Sequence, residues 1–92
     1  KEGNPVGIND AKLQTRIILE KFTEAMGYFG SSLDSIVRTR IFTTDISRWE
    51  EIGLVHGEFF KNIKPTTTMV EVSRLIREEY LVEIEAEAII EN

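Results

Sequence analysis

The chain of 92 residues contains no cysteine. Disulfides, thiolate zinc sites and cysteine nucleophiles are therefore excluded together. The absence is compatible with the cytosol, and a cytoplasmic location is expected. Histidine is nearly absent too, with a single residue at His56. One histidine without a second ligand at metal spacing is not a metal site, and a histidine pair for RNA cleavage is lacking. No metal and no cofactor are expected. No apolar stretch approaches the roughly 20 residues that span a bilayer, and no signal-like segment opens the sequence. A membrane partner is not expected. Positive charge is in deficit, with 11 Lys and Arg against 16 Asp and Glu and a formal charge of -5. Phosphate contacts need a basic surface, so nucleic acid is not an expected partner. Phosphate loops, nucleophile elbows, internal repeats and low-complexity tracts are missing as well.

What is present is a globular composition, 41% hydrophobic and 29% charged. Residues 1–92 are read as one domain, large enough for a single modest core. The first residue is Lys1 rather than methionine, so a processed or partial piece of a longer protein is expected.

Local patterns predict five elements. After Gly3, Pro5 and Gly7, the pair Asn9-Asp10 is ready to cap a helix. From Asp10 to Phe29 the apolar residues Leu13, Ile17, Ile18, Phe22, Ala25, Met26 and Phe29 recur at helical spacing, and Gly30 offers a left-handed stop. Ile36 to Thr43 is β-branched and alternating, which predicts a strand. Ser47-Arg48-Trp49-Glu50 matches a capping box. The helix behind it runs to about Lys61, with a stripe of Trp49, Ile52, Val55, Phe59 and Phe60. Strands are predicted from about Thr66 to Ser73 and from about Tyr80 to Ile90, with a turn around Arg77-Glu78-Glu79.

The order α-β-α-β-β predicts a two-layer sandwich with a helical side and an open side. Alternation assigns Val37, Ile41, Val70, Val72, Val82, Ile84, Ala86 and Ala88 to the helical side. It assigns Arg38, Arg40, Thr67, Met69, Glu71, Glu83, Glu85 and Glu87 to the open side. Such a face is either solvated, as antiparallel sheets commonly are, or covered by other subunits, which would also protect exposed edges. The alternation itself leaves both readings open.

Candidate chemistry is sparse. His56 beside an apolar stripe is more often a surface or core-edge residue than a catalytic one. Glu83, Glu85 and Glu87 could supply carboxylates for acid–base work, but three in alternation more often make a charged face. Thr66-Thr67-Thr68 at a strand start could bind a polar ligand near those carboxylates, although threonine also favours strands by propensity.

Several stretches, taken in order, carry a family resemblance. They are Gln14-Thr15-Arg16, the run from Gly30 to Ile46, Trp49, Phe59-Phe60, the run from Pro65 to Leu75, and Val82-Glu83-Ile84-Glu85-Ala86. Together they cover nearly the whole chain. The sequence resembles the Rid family (reactive intermediate deaminase, YjgF-like), also called liver perchloric-acid-soluble proteins. The resemblance implies an α+β, chorismate-mutase-like two-layer sandwich, with helices on one face of a mainly antiparallel sheet. It also implies a homotrimer with a central barrel of three sheets and small-molecule clefts between subunits. The family's N-terminal hairpin has no counterpart here, so the domain is expected to lack those strands.

Active members of that family hydrolyse enamine and imine intermediates to keto acids and ammonia. By position, their water-positioning glutamate falls on Glu83, and Thr66, Thr67, Thr68 and Met69 fall on the substrate-binding strand start. Their carboxylate-gripping arginine falls on Thr67. A guanidinium fork makes two charge-assisted bonds, where threonine offers one neutral donor. Strand parity predicts that Thr67 and Glu83 share a sheet face, and it turns Arg74 the other way. Two functions follow as expectations: a Rid-like hydrolase of altered substrate, or a trimeric binding or regulatory protein without the chemistry.

Overall fold

The computed structural model describes residues 8–90. The turn-forming Gly3, Pro5 and Gly7 lie outside the described residues. Helix α1 spans Ala11–Tyr28, strand β1 Ile36–Thr43, helix α2 Trp49–Phe60, strand β2 Thr66–Glu71 and strand β3 Val82–Ala88. Short 3₁₀ turns at Leu33–Ser35 and Ile46–Arg48 lead into β1 and α2.

The ends of α1 are set by local chemistry. The Asp10 carboxylate accepts from the Leu13 amide at 3.0 Å, satisfying one of the helix's orphan donors. At the other end Gly30 adopts φ 70. The Ser31 amide there donates to the Met26 carbonyl and the Gly30 amide to the Gly27 carbonyl. That pair of bonds is the Schellman closure, which needs a residue tolerant of the left-handed region.

The lead-in to α2 corrects the capping-box expectation. Asp45, not Ser47, is the capping side chain: its carboxylate accepts from the Ser47 amide at 3.1 Å. The Ser47 hydroxyl also donates to it. The inserted 3₁₀ turn moves the first α-helical residue to Trp49, which is too late for a Ser47 cap. Trp49 also leaves the predicted apolar stripe, being 56% exposed, whereas Ile52, Val55 and Phe60 are buried.

The sheet order is β2-β1-β3. β1 and β3 pair antiparallel, but β1 and β2 pair parallel. The sheet is thus mixed rather than mainly antiparallel, because α2 acts as a crossover that returns β2 in the direction of β1. Both helices pack on one face. The core between the layers contains Ala11, Leu19 and Met26 of α1, Ile52, Val55 and Phe60 of α2, and Ile36, Ile41, Val82 and Ile84 of the sheet. Full burial of a side chain such as Leu19 or Ile52 contributes about 1.5–3 kcal/mol.

Two face assignments differ from the alternation. A register irregularity between Ile36 and Arg38 lets Ile36 enter the core and leaves Val37 44% exposed. β2 is offset by one residue along its whole length. Its Thr67, Met69 and Glu71 pair with Thr39, Ile41 and Thr43 and share their helical side, while Thr66, Thr68 and Val70 share the open side with Arg38, Arg40 and Phe42. A one-residue slip reverses every side chain of a strand. Among the described residues no helix is long and apolar enough to cross a membrane.

Candidate functional site

The open face of the sheet is a charged ladder with one gap. Register places Glu87, Glu85 and Glu83 of β3 opposite Arg38, Arg40 and Phe42 of β1. Arg38 reaches Glu87 at 3.3 Å, and Arg40 reaches Glu85 at 3.4 Å and Glu87 at 3.9 Å. These exposed pairs are each worth a fraction of a kcal/mol, and their main effect is to occupy the carboxylates. Glu83 faces Phe42 instead, and no ion pair reaches it among the described residues. The fourth acid expected on this face, Glu71, lies on the other side and accepts from the Ile46 amide at 2.8 Å, which anchors the turn before α2.

The start of β2 carries a different arrangement. Thr67 is exposed, and its hydroxyl donates to the Pro65 carbonyl at 3.1 Å. The same oxygen lies 3.2 Å from Thr39 Oγ1. Thr39 is fully buried, and its oxygen lies 2.9 Å from His56 Nε2. The imidazole packs on Phe60 with ring centroids 4.6 Å apart. Burial lowers the His56 pKa below its ordinary value, so the ring is neutral at pH 7. His56 is thus a core-edge residue, but one wired to the strand edge. Nothing in the sequence links it to Thr39, 17 positions away; only the packing of α2 on β1 does.

The sequence-predicted residues are not brought together within one chain. Thr67 and Met69 lie on the helical side of β2 and Glu83 on the open side of β3, with β1 between them. The shared-face expectation for Thr67 and Glu83 is corrected by the β2 offset. Two interstrand spacings of about 4.8 Å and three residues of about 3.3 Å rise separate their backbones by roughly 14 Å. Thr66 and Thr68 do share the open face with Glu83, at the opposite edge of the sheet.

Two cavities lie elsewhere. A groove of about 500 Å³ runs between α1 and β3, lined by Phe22, Met26, Ile36, Ile84, Ala86 and Ala88 among others. The large Phe22 of α1 and the small Ala86 and Ala88 of β3 line it together. A second cavity of about 480 Å³ is formed by the loop from Ser73 to Glu78 with Thr44. Arg77 in that loop pairs with Glu79 at 2.8 Å, and this bond holds the Glu79 carboxyl below its usual range. No group of three or more histidines and acids among the described residues could hold a metal ion.

Gln14 fixes where β3 begins, a role that sequence reading missed. Its amide nitrogen donates to the Glu79 carbonyl at 3.0 Å, and its amide oxygen accepts from the Leu81 amide at 2.7 Å. A side-chain amide here stands in for a neighbouring strand. Glu83 follows two residues later.

A family model described as Endoribonuclease L-PSP matches residues 1–90. The crystal structure of Rv2704 from Mycobacterium tuberculosis, a member of the YjgF/YER057c/UK114 family, is 51% identical with a TM-score of 0.80. That match covers 83% of this chain and 64% of that one. YyfA from Yersinia pestis, of the Rid protein family, is 34% identical with a TM-score of 0.88, over 97% of this chain and 70% of that one. The structure of E. coli TdcF with bound serine is 30% identical with a TM-score of 0.81, over 89% of this chain and 66% of that one. The chain spans about 60% of the length of the curated relatives it matches.

Proposed function

The chain belongs to the endoribonuclease L-PSP (YjgF/Rid) family, and on that premise we propose that it binds a small organic acid or imine in a cleft between sister copies. The chemistry we infer is hydrolysis of an enamine or imine to a keto acid and ammonia. In this reading Glu83 positions the attacking water, and the hydroxyls of Thr66, Thr67 and Thr68, with Met69 beside them, meet the ligand. The observation that carries it is the Glu83 carboxylate, without an ion pair among the described residues, in a ladder whose other acids are taken by arginines. A carboxylate that no guanidinium holds can accept a proton from water; one held by a guanidinium cannot do so as well.

In this reading the cleft is shared between copies. Glu83 and Thr67 stand on opposite faces of one sheet, so a ligand touching both takes Glu83 from one copy and the β2 edge from another. A trimer that buries the open faces would supply that geometry and cover the exposed strand edges. The serine bound to TdcF is a ligand of the expected size and polarity.

A second reading is favoured by Thr67. One neutral donor replaces the guanidinium that active relatives of the resembled family use, so the cleft would bind its ligand without turning it over. Ammonia release from imines generated in situ from amino acids separates the two. Release by the parent chain and its loss in Glu83→Gln support hydrolysis. No release, with 2-oxobutanoate still bound at the subunit seam, supports a binding protein. A molecule that light scattering shows to be a monomer at micromolar concentration overturns both.

A further inference from the structure

The hydroxyl chain at the start of β2 takes a single direction when the Thr67 proton rests on the Pro65 carbonyl. Thr67 Oγ1 donates to the Pro65 carbonyl, which can only accept. A hydroxyl has one proton. With the Thr67 proton on that carbonyl, Thr67 accepts in its 3.2 Å contact with Thr39 and Thr39 is the donor. The single Thr39 proton is then used, so the Thr39 oxygen accepts from His56 Nε2–H at 2.9 Å. In this direction the neutral imidazole carries its proton on Nε2, and protonation of Nδ1 would leave the bond unchanged.

We propose that His56 and Thr39 are positioning residues that hold Thr67 as an outward-directed donor toward an acceptor oxygen of the bound small molecule. The chain runs from a buried ring through a fully buried hydroxyl to an exposed one. An isolated surface threonine can donate or accept as its hydroxyl rotates. Here the Thr39 proton occupies a Thr67 lone pair, and only the Thr67 proton remains to be redirected. Rotation about one C–O bond moves it from the Pro65 carbonyl to a ligand oxygen. A carboxylate or polarised carbonyl oxygen is a stronger acceptor than the peptide carbonyl it displaces, so it is the group this donor selects. The donor line is uncharged, so the grip is a single bond. The ligand part of this inference rests on the functional reading above; the direction of the chain does not.

The test uses the one histidine of the sequence, whose ring nitrogens give an unambiguous signal in the full, uniformly ¹⁵N-labelled chain. The Nε2–H tautomer is expected at pH 7.5 in the parent, with a mixture of tautomers in Thr67→Val, where the Thr39 proton is released, and in Thr39→Val, where the bond to the ring is lost. An Nδ1–H tautomer in the parent overturns the relay whatever binds. In parallel, 2-oxobutanoate is titrated by NMR. Loss of one such bond predicts about tenfold weaker binding in Thr67→Val, and loss of its orientation alone a smaller weakening of about threefold in Thr39→Val. No further loss is expected in the double variant. His56→Gln, which keeps an N–H donor, should bind within about twofold of the parent, and His56→Phe should resemble Thr39→Val. Multiplying losses in the double variant overturn the relay. Absence of binding by the parent overturns the functional reading, and the tautomer then decides the relay by itself.

Discussion

Replacing Gln14 by leucine should loosen the start of β3 and with it the candidate carboxylate. Leucine keeps the bulk of a side chain that is 8% exposed but removes both polar ends. The 3.0 Å bond to the Glu79 carbonyl and the 2.7 Å bond from the Leu81 amide are lost together. Each is worth about 1 kcal/mol net, and an amide left without a partner costs about 1–3 kcal/mol more. Leucine regains part of this through apolar burial, so the expected loss is about 2–4 kcal/mol. At a urea dependence of about 2 kcal/mol per molar, the unfolding midpoint falls by about 1–2 M. Parent and variant must be compared at one chain concentration, because assembly contributes to apparent stability. The local readout is hydrogen exchange, where the Leu81 amide should exchange at least roughly tenfold faster. An unchanged midpoint with Leu81 still protected would refute the clamp, and with it the claim that Gln14 sets the position of Glu83.

The remaining predictions concern charge and capping. Glu83→Gln should abolish ammonia release while leaving the urea midpoint within about 0.5 kcal/mol of the parent, as for most exposed substitutions; a large stability loss would make Glu83 structural. His56 should titrate below 6.5 by NMR, because burial disfavours its charged form. Its unfolded state then binds more protons, so stability is highest above pH 6.5 and declines as pH falls from there toward the folded-state pKa. His56→Gln should lack that part of the pH dependence, and equal profiles for the two chains would refute it. Asp45→Ala should destabilise the lead-in to α2 more than Glu50→Ala does, since Asp45 bonds the Ser47 amide and hydroxyl; the reverse order in thermal unfolding would restore the capping box. The pKa of Asp45 is lowered by the Ser47 hydroxyl bond and by Arg48, so its contribution is present above pH 3.8 and lost as pH falls through the folded value.

Much of the site's surroundings is legible in sequence, and the misses share a cause. The alternating acids of β3 and arginines of β1 were readable because each strand repeats its own pattern every two residues. That Glu83, alone of the three acids of β3, has no arginine among the described residues was not, because pairing depends on which residue of β1 stands opposite. The Thr66-Thr67-Thr68 run has no apolar alternation to choose a face. The strand then seats Met69 against the core, and Thr67 turns toward Thr39 with it.

Sequence alone determined the spans of α1 and β1, the order of the five elements and the family, because caps, periodicity and a left-handed glycine act over a few neighbouring residues. Tertiary structure decided the parallel return of β2, the exposure of Val37 and Trp49, the Gln14 clamp and the line from His56 to Thr67. Each of those depends on register or on contacts between residues far apart in the chain, where a shift of one residue exchanges the two faces of a strand.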